Sequence, residues 1–374
     1  MKPIGIEVQR LFREKKHGME IVALEVLREL QQIKNDNNYI VYAKSDADNA
    51  CLTESDNLKV KLLKGKTYFD WEQYHLSKEV NKNKPKFLHS TCNTSALNLS
   101  VPLVLTLHDI IYLEEINFKG TTYQNFGNIY RKFVVPRVVK KSEMIITVSH
   151  FERATIIEKL KVPEDRIKVV YNAVNKKFNN LYSLQTLSAF KKQHNLPDQF
   201  MLFLGNTAPK KNTVNVIKAY ALYCKTAKDS IPLVILDYNK ALVENILKEQ
   251  GNEQILEKIF FPGFISSDEM ALIYNAATLF LYPSLRESFG LPILEAMGCG
   301  TPVITSTTSS MPEVAGNAAL LVDPKNAEDI ADKMHLVLSD VLLQKSLSEL
   351  GIKRAAEFSW KKSAEDLLAI YNLI

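Results

Sequence analysis

The sequence predicts an α/β protein of two domains, each built on a parallel β-sheet covered by helices. The chain has 374 residues, 46% of them hydrophobic and 24% charged, which is enough to form two globular domains. Both halves alternate short apolar runs with amphipathic segments, and this alternation is typical of parallel sheets wrapped by helices. A polar stretch at residues 175–183 interrupts the alternation and marks the boundary between the predicted domains.

Each predicted strand is a short apolar run bounded by polar or turn residues. The stretch that ends at Glu7 starts the first domain as a strand, and further strands are predicted at 103–107, 144–148, 167–171, 201–204, 233–236, 258–261 and 278–282. We predict domains at residues 1–178 and 179–358, followed by a helix at 359–374. Because parallel α/β sheets bind ligands at the carboxyl ends of their strands, we expect the site in a cleft between the domains.

Composition and charge argue against several classes of protein. The four cysteines are scattered without the spacing of metal ligands, which predicts reduced thiols rather than a disulfide framework. No apolar run is long enough to span a membrane and the N-terminal stretch lacks a secretory signal, so we expect a cytoplasmic protein. The net charge of +5 is concentrated in the first half. The basic charge of that half has two interpretations: peripheral contact with anionic lipid at the inner face of the membrane, or a merely solvated surface. We expect no nucleic-acid binding.

The stretch from Pro283 to Pro302 is the most informative part of the chain. Pro283 ends a buried apolar run, and Gly290-Leu291-Pro292 opens a helix that we predict to have proline at its first position, where proline is favoured. The N–H groups of Phe289, Gly290 and Leu291 would lack helical partners, and the positive end of the helix dipole lies beside them. The stretch therefore predicts an anion site.

Two carboxylates flank this helix start. Glu287 lies in the loop before the helix, and Glu295 is predicted in its first turn. Carboxylates accept hydrogen bonds from pairs of hydroxyl groups, so one can hold a ribose and the other a sugar on either side of a diphosphate. An acidic first turn that only complements the helix dipole is the alternative.

A second candidate for phosphate binding follows the apolar run at 201–204. Gly205 begins a turn that carries Lys210 and Lys211 immediately before a helical pattern. Lysines at a helix N-terminus are unfavourable with the dipole, so their presence there calls for a reason. A bound phosphate and simple solvation of the surface are the two interpretations.

The residues of the second half resemble a known family. The block from Phe261 through Ser306 to Pro324 resembles the C-terminal half of the retaining glycosyltransferase family 4, which has the GT-B fold of two Rossmann-like domains facing each other across a cleft. Glu287 and Glu295, with seven residues between them, match the paired-glutamate signature of that family. The resemblance implies that the helix at 359–374 crosses back onto the N-terminal domain.

The resemblance implies roles in donor binding for four residues already singled out. Lys211 and Lys210 match positions that contact the donor diphosphate, with Lys210 standing where the family usually has arginine. Arginine offers a two-pronged contact that lysine lacks. Glu287 would bind hydroxyl groups of the donor sugar, and Glu295 would bind the ribose.

Further roles follow from the same resemblance. Backbone groups at Phe264 and Ile265 would hold the nucleobase. Asp237, directly after the predicted strand at 233–236, stands where members of the family commonly have glycine, which leaves the base and sugar preference open. His108 would face the donor sugar and the acceptor, and Asp109 would either orient its imidazole or cap the next segment. Gly18, which opens a helix after a basic loop, would approach the donor phosphate or the acceptor.

The activity that the resemblance implies is retaining transfer of a hexose, of mannose or glucose type, from a nucleoside-diphosphate sugar. The acceptor would be a hydroxyl of a glycan or lipid-linked glycan in cell-surface polysaccharide or lipopolysaccharide synthesis. Candidate catalytic residues are His108, Lys211 and Glu287. No cofactor and no metal are expected, since cations and a helix terminus can stabilise the leaving diphosphate. Asp46-Ala-Asp48 matches a metal-binding pattern of another glycosyltransferase fold but lacks that fold's setting.

Two alternatives stay open. One is a sugar-phosphate enzyme of the same fold, such as a phosphorylase or a nucleotide-sugar epimerase, against which the lysine pair and the glutamate pair argue. The other is a catalytically inactive GT-B scaffold or a sugar-binding protein.

Overall fold

The computed structural model describes the backbone of residues 2–114 and 122–374, and the side chains of residues 2–113 and 127–374. These residues form two compact units. The first unit consists of the chain up to Asn172 together with Trp360–Ile374, and the second consists of Ala173–Ser359.

The first unit is an α/β unit on a parallel sheet. Its strands are β1 (Ile4–Glu7), β2 (Tyr39–Ala43), β3 (Leu58–Leu62), β4 (Leu88–Ser90), β5 (Leu103–Thr106), β6 (Met144–Thr147) and β7 (Ile167–Val169). Among the described residues they pair in parallel in the order β3-β2-β1-β4-β5-β6-β7. The helices before the domain boundary are α1 (Gly18–Gln32), α2 (Tyr68–Asp70), α3 (Ser77–Asn83), α4 (Ile111–Glu114), α5 (Thr122–Lys141) and α6 (His150–Leu160), with a π-helical stretch at Trp71–Leu76.

The second unit repeats this architecture. Its strands are β8 (Met201–Leu204), β9 (Leu233–Leu236), β10 (Ile259–Phe260), β11 (Leu279–Tyr282), β12 (Val303–Ser306) and β13 (Leu320–Val322). They pair in parallel in the order β10-β9-β8-β11-β12-β13. Its helices are α7 (Leu184–Gln193), α8 (Thr213–Thr226), α9 (Lys240–Glu249), α10 (Met270–Ala276), α11 (Leu291–Gly298), α12 (Met311–Ala315), α13 (Ala327–Ser339) and α14 (Val341–Ala356).

The predicted α/β class with two parallel sheets is confirmed. The strands β8, β9 and β11 coincide with apolar runs in the sequence, and all residues of β9 and β11 are buried. A parallel sheet has helices on both faces, so both sides of its central strands need apolar side chains. This requirement explains why the strands read as continuous apolar runs instead of alternating ones.

The last helix, α15 (Trp360–Tyr371), belongs to the first unit, as the resemblance implied. Its residues Ala364, Leu367 and Ile370 are buried in the same apolar cluster as Leu24 of α1. Tyr371 adds a hydrogen bond, since its hydroxyl lies 2.6 Å from Nδ1 of His89 in β4. The helix thus completes the core on one face of the first sheet.

Each sheet has a point where the strand order reverses direction. In the first unit this switch point lies between β1 and β4, and in the second unit it lies between β8 and β11. The connections leave such neighbouring strands toward opposite faces of the sheet, which opens a crevice at their carboxyl ends where ligands bind. The two switch points are therefore the places to look for functional groups.

None of the described helices is both long enough and apolar enough to cross a membrane. Cytoplasmic location and peripheral contact with anionic lipid stay predictions.

Candidate functional site

The loops after β8 and β11 are tied together at the switch point of the second sheet. After β8 the chain forms a 3-10 turn at Pro209–Lys211, and Asn212 then takes a positive φ of 61°. The Asn212 amide donates to the backbone carbonyl of Pro283 at 2.9 Å and to that of Pro324 at 2.6 Å. This buried asparagine fixes the two lysines of the turn against the loop that follows β11.

The structure brings Lys211 and Glu287 together. Lys211 Nζ lies 2.7 Å from Glu287 Oε1 and donates to the hydroxyl of Tyr282 at 3.0 Å. Glu287 is buried, with 8% of its surface exposed, so the ion pair is partly shielded from water. Lys210 is held only through its backbone, whose carbonyl accepts from Leu285 N–H at 2.7 Å. Among the described residues its ammonium group has no hydrogen-bond or ion-pair partner.

Two serine hydroxyl groups hydrogen-bond the backbone of the Glu287 loop. The N–H of Glu287 donates to Ser309 Oγ at 3.0 Å. The Ser310 hydroxyl lies 2.9 Å from the carbonyl oxygens of Glu287 and Phe289. The Phe289 side chain is buried and packs edge-on against Phe358, with ring centroids 5.8 Å apart. The Phe289 ring is thus part of the apolar packing, and a role of its backbone in binding an anion stays a prediction.

Gly290 sits at the start of α11 in a conformation that favours glycine. Its φ is +102°, and a Cβ there would lie 3.2 Å from Cδ1 of Ile293. The helix begins at Leu291 without a side-chain cap. Among the described residues, no hydrogen bond has the N–H of Gly290 or of Leu291 as its donor. Free N–H groups and the positive end of the helix dipole suit an anion, and the role of this helix start as an anion site stays a prediction.

Glu295 lies in the second turn of α11, one residue further from the start of the helix than predicted. The helix starts at Leu291, so Glu295 is its fifth residue and lies in the second turn, and the helix has no acidic residue in its first turn. The prediction of a first-turn position was wrong because proline occupies the second helical position and not the first. Burial raises the pKa of Glu295 to about 7, opposed by a hydrogen bond from the Tyr274 hydroxyl and by the charge of Lys177.

The residues expected near the nucleobase follow β10. Phe264 is exposed over 77% of its surface, whereas Ile265 is buried. Asp237, after β9, has a φ of +56°, the left-handed conformation that glycine adopts without steric cost. Glycine would therefore fit this position without steric cost. Beside it, Tyr238 packs so closely on Gly205 that a Cβ on Gly205 would lie 2.4 Å from Cβ of Tyr238.

His108 lies in the first unit, at the carboxyl end of β5. It is buried, its Nε2 lies 2.9 Å from the Thr91 carbonyl oxygen, and its backbone N–H donates to Asn93 Oδ1 at 2.6 Å. Because a carbonyl oxygen only accepts, Nε2 carries the proton and Nδ1 carries the lone pair of the neutral ring. Burial lowers the pKa of His108, so the neutral form is favoured. Asp109 caps the next segment by accepting from Ile111 N–H at 3.1 Å.

Gly18 opens α1, as predicted. His17 is the N-cap residue, and Glu20 accepts a hydrogen bond from its N–H at 3.0 Å. A Cβ at Gly18 would meet no other atom within 4 Å, so the packing of the described residues does not require glycine at this position. Its role in binding phosphate or acceptor stays a prediction.

The Asp46-Ala-Asp48 pattern is part of a surface ion pair. Asp48 Oδ2 lies 2.6 Å from Lys16 Nζ, which also donates to the Arg13 carbonyl. Among the described side chains, no group of three or more His, Cys, Asp or Glu residues is placed to hold a metal ion. The expectation that the activity needs no metal stays a prediction.

Sequence reasoning missed a polar cluster at the switch point of the first sheet. Glu7 ends β1 and is buried, as are Gln9 just after it and Glu72 in the π-helical stretch. Burial raises the pKa of Glu7 to about 8, helped by the negative charge of Glu72. A glutamate closing an apolar strand and a glutamine two residues later were the available signals, but each alone is typical of a solvated strand end.

Solved structures show which class of protein this fold defines. The structure of Alr3699/HepE from Anabaena in complex with UDP and glucose superposes with a TM-score of 0.75 at 17% identity, covering 100% of both chains. The sucrose-phosphate synthase of Thermosynechococcus elongatus superposes with a TM-score of 0.72 at 18% identity, covering 100% of this chain and 99% of that one. The fold is therefore the GT-B fold, as the sequence predicted.

Family models identify the particular group. The model described as Glycosyltransferase Family 4 matches residues 17–178, and the model described as Glycosyl transferases group 1 matches residues 185–371. The chain belongs to glycosyltransferase family 4.

Curated relatives include two mannosyltransferases of Escherichia coli. The serotype-specific mannosyltransferase WbdA of Escherichia coli is 30% identical over 278 residues, which cover 73% of this chain and 34% of WbdA. The O-antigen chain mannosyltransferase B of Escherichia coli is 30% identical over 234 residues, which cover 62% of this chain and 61% of that protein. The matched part of this chain thus spans about a third of the length of WbdA.

Proposed function

We propose that this protein is a retaining glycosyltransferase that moves a hexose, of mannose or glucose type, from a nucleoside-diphosphate sugar to a glycan hydroxyl. The observation that carries the proposal is the arrangement at the switch point of the second sheet, where Lys211, Glu287 and the Gly290 helix start lie side by side. Mannosyltransferases among the relatives favour mannose as the sugar and surface polysaccharide synthesis as the setting.

The chemistry of the proposed donor site follows from where charge develops. When the bond between the sugar and the diphosphate breaks, negative charge grows on the diphosphate. Fixed positive groups lower the energy of that state more than that of the intact donor. Lys211, the N–H groups at Gly290 and Lys210, whose ammonium group has no partner in the described part of the chain, would supply this stabilisation. No metal is then needed for the leaving group.

Two carboxylates would orient the donor. Glu287 keeps one oxygen on Lys211 and can accept hydroxyl groups of the sugar with the other. Glu295 receives a hydrogen bond from Tyr274 on Oε2, and its second oxygen is available to a ribose hydroxyl. His108, with a neutral ring and a lone pair on Nδ1, would accept a hydrogen bond from a sugar hydroxyl. The acceptor would be a glycan or lipid-linked glycan.

A thermal-shift screen tests the donor site. Wild type and Lys211→Ala are heated with UDP, GDP, ADP and their hexose conjugates in the presence of EDTA. We expect one nucleotide to raise the melting temperature of wild type and not that of the variant, because the diphosphate loses its cation. Absence of a shift with every nucleotide would overturn the transferase proposal and favour the inactive scaffold.

Analysis of the product tests the stereochemistry. The donor selected by the screen is incubated with a mannose-terminated oligosaccharide, and proton NMR reads the configuration of the new glycosidic linkage. An α-linked product from an α-linked donor supports retention, and a β-linked product contradicts it.

A further inference from the structure

Hydroxyl groups, and not backbone pairing, hold the loop that follows β11. Among the described residues, no backbone–backbone hydrogen bond joins residues 283–289 to the segment after β12. Side-chain hydroxyls on β12 and just after it donate to backbone carbonyl oxygens instead: Thr305 to Tyr282 at 2.9 Å, Ser306 to Ser284 at 2.5 Å and Thr308 to Leu285 at 3.2 Å. The path of the loop therefore depends on these side chains.

Two consecutive serines continue this series and hold the peptide groups on either side of Glu287. The N–H of Glu287 donates to Ser309 Oγ at 3.0 Å, and the carbonyl oxygen of Glu287 accepts from Ser310 Oγ at 2.9 Å. Glu287 lies outside the helices and strands, so no regular element sets the direction of its side chain. The two serines perform this task, because a residue with both peptide groups held has a fixed Cα–Cβ direction.

Ser309 adopts a backbone conformation that is costly for a residue with a side chain. Its φ is +51°, in the left-handed region where a Cβ crowds the backbone. The other described non-glycine residues with a positive φ are Asn or Asp, which tolerate this region, or lysines that end a helix: Asn93, Asn195, Asn212, Asp237, Lys84 and Lys161. In the described part of the chain, Ser309 is the one such residue with neither explanation. An observed backbone outlier of this kind is grounds for inferring a function.

The hydroxyl of Ser309 supplies a reason for a side chain at this position. Glycine would adopt the same φ without cost, but it has no oxygen to accept the Glu287 N–H. That N–H belongs to the residue whose carboxylate lies 2.7 Å from Lys211 Nζ. A peptide N–H shielded from water needs an acceptor, so without the hydroxyl the Glu287 backbone would shift and carry the carboxylate with it.

We propose that Ser309 is a positioning residue whose hydroxyl fixes the backbone of Glu287 and thereby holds the ammonium group of Lys211 in place for the diphosphate of the donor. The effect on the diphosphate rests on the proposed function. The effect on the Lys211–Glu287 contact does not, and it can be measured without any nucleotide.

Three substitutions separate the hydroxyl of Ser309 from its backbone conformation. Ser309→Gly removes both the oxygen and the strain, and Ser309→Ala removes the oxygen but keeps the strain. Ser309→Thr keeps the oxygen and adds a branched side chain, which is unfavourable at a positive φ. Asn195→Gly is the matched control, since Asn195 has the same φ of +51° and is exposed in the loop after α7.

Calorimetric titration with UDP, GDP and ADP measures affinity, and melting curves measure stability. We expect Ser309→Gly and Ser309→Ala to bind the nucleotide that wild type prefers about tenfold more weakly, the equivalent of about 1.4 kcal/mol. Ser309→Thr and Asn195→Gly should bind it as wild type does. Ser309→Gly should melt close to wild type, because relief of strain offsets the lost hydrogen bond, whereas Ser309→Ala and Ser309→Thr should melt below it.

The two orders distinguish positioning from a purely structural role. A structural role predicts that affinity follows stability, so that Ser309→Thr binds weakly and Ser309→Gly binds as wild type does. That result overturns the proposal, and so does wild-type affinity in both Ser309→Gly and Ser309→Ala. If Ser309→Thr does not fold, the comparison of Ser309→Gly with Asn195→Gly decides: equal affinities overturn the proposal, and a loss in Ser309→Gly supports it.

Urea denaturation without nucleotide tests the positioning by itself. Lys211→Met is introduced into wild type and into Ser309→Gly. The substitution should lower the urea midpoint less in Ser309→Gly than in wild type, because the contact between Lys211 and Glu287 is already weakened there. Equal falls overturn the positioning role. If the falls differ but wild type binds none of the three nucleotides, the proposed function fails and the positioning of Glu287 by Ser309 stands.

Discussion

Replacing Lys211 by methionine should lower both stability and nucleotide affinity, and a double variant can separate the two effects. The Lys211–Glu287 pair has an N–O distance of 2.7 Å, with the two side chains 24% and 10% exposed. Removing one partner of a fully buried pair costs about 3–5 kcal/mol. Because Lys211 is partly exposed, solvent screens the pair, and we expect Lys211→Met to lose about 2 kcal/mol of unfolding free energy.

The double variant Lys211→Met/Glu287→Gln removes the uncompensated carboxylate. Its loss of stability should be smaller than the sum of the two single losses, with a coupling energy of about 1–2 kcal/mol. Nucleotide affinity should not recover, because the cation is still missing. We expect both Lys211 variants to bind the diphosphate roughly 10- to 100-fold more weakly than wild type, or about 1.4–2.7 kcal/mol.

Urea denaturation gives the stabilities, and calorimetric titration with UDP and GDP gives the affinities. Lys240→Met is the control, since Lys240 is exposed at the start of α9 and has no ion pair among the described residues. A double variant that binds nucleotide as tightly as wild type would show that the pair has a purely structural role. Strictly additive losses of stability would refute the coupling across the 2.7 Å contact.

Three further predictions concern single side chains. Burial raises the pKa of Glu7 from 4.5 to about 8, so the native state keeps a proton that the unfolded state releases; stability should fall as pH rises through this interval. In thermal melts between pH 4.5 and about 8, the melting temperature of Glu7→Gln should fall less than that of wild type. An equal fall in both proteins would contradict the raised pKa of Glu7. Gly290 has a φ of +102°, so Gly290→Ala should lower the unfolding free energy measured in urea by about 1–2 kcal/mol. A Cβ at Gly18 would meet no other atom within 4 Å, so Gly18→Ala should lower it by less than half of that amount. Asp237→Gly should raise the unfolding free energy by about 0.5–1 kcal/mol by relieving a positive φ, and a decrease would show that Asp237 makes a stabilising contact.

The sequence predicted the sheets well because their strands carry their own signal. A strand covered by helices on both faces must be apolar throughout, and runs such as Leu233–Leu236 and Leu279–Tyr282 cannot be placed elsewhere in a folded chain. The helix start at Gly290 was also readable, since glycine followed by proline constrains the backbone locally. The error of one residue at Glu295 arose because the sequence does not say whether proline takes the first or the second helical position.

Contacts between distant segments were not readable from the sequence. The pairing of Lys211 with Glu287 depends on β8 and β11 being neighbours, and family resemblance named both residues without placing one on the other. The burial of Glu7 depends on β1 and β4 being neighbours and on α2 and α5 closing over them. A single glutamate at the end of a strand does not indicate that helices from elsewhere in the chain cover it.

The position of α15 in the first unit has a consequence for synthesis. A ribosome makes residues 173–359 before it makes the helix that supplies Ala364 and Leu367 to the first core. The second unit can therefore fold while the first still exposes apolar residues that α15 later covers, among them Leu24 of α1. During that interval the nascent first unit is the part most exposed to chaperones and proteases, although it was the first to leave the ribosome.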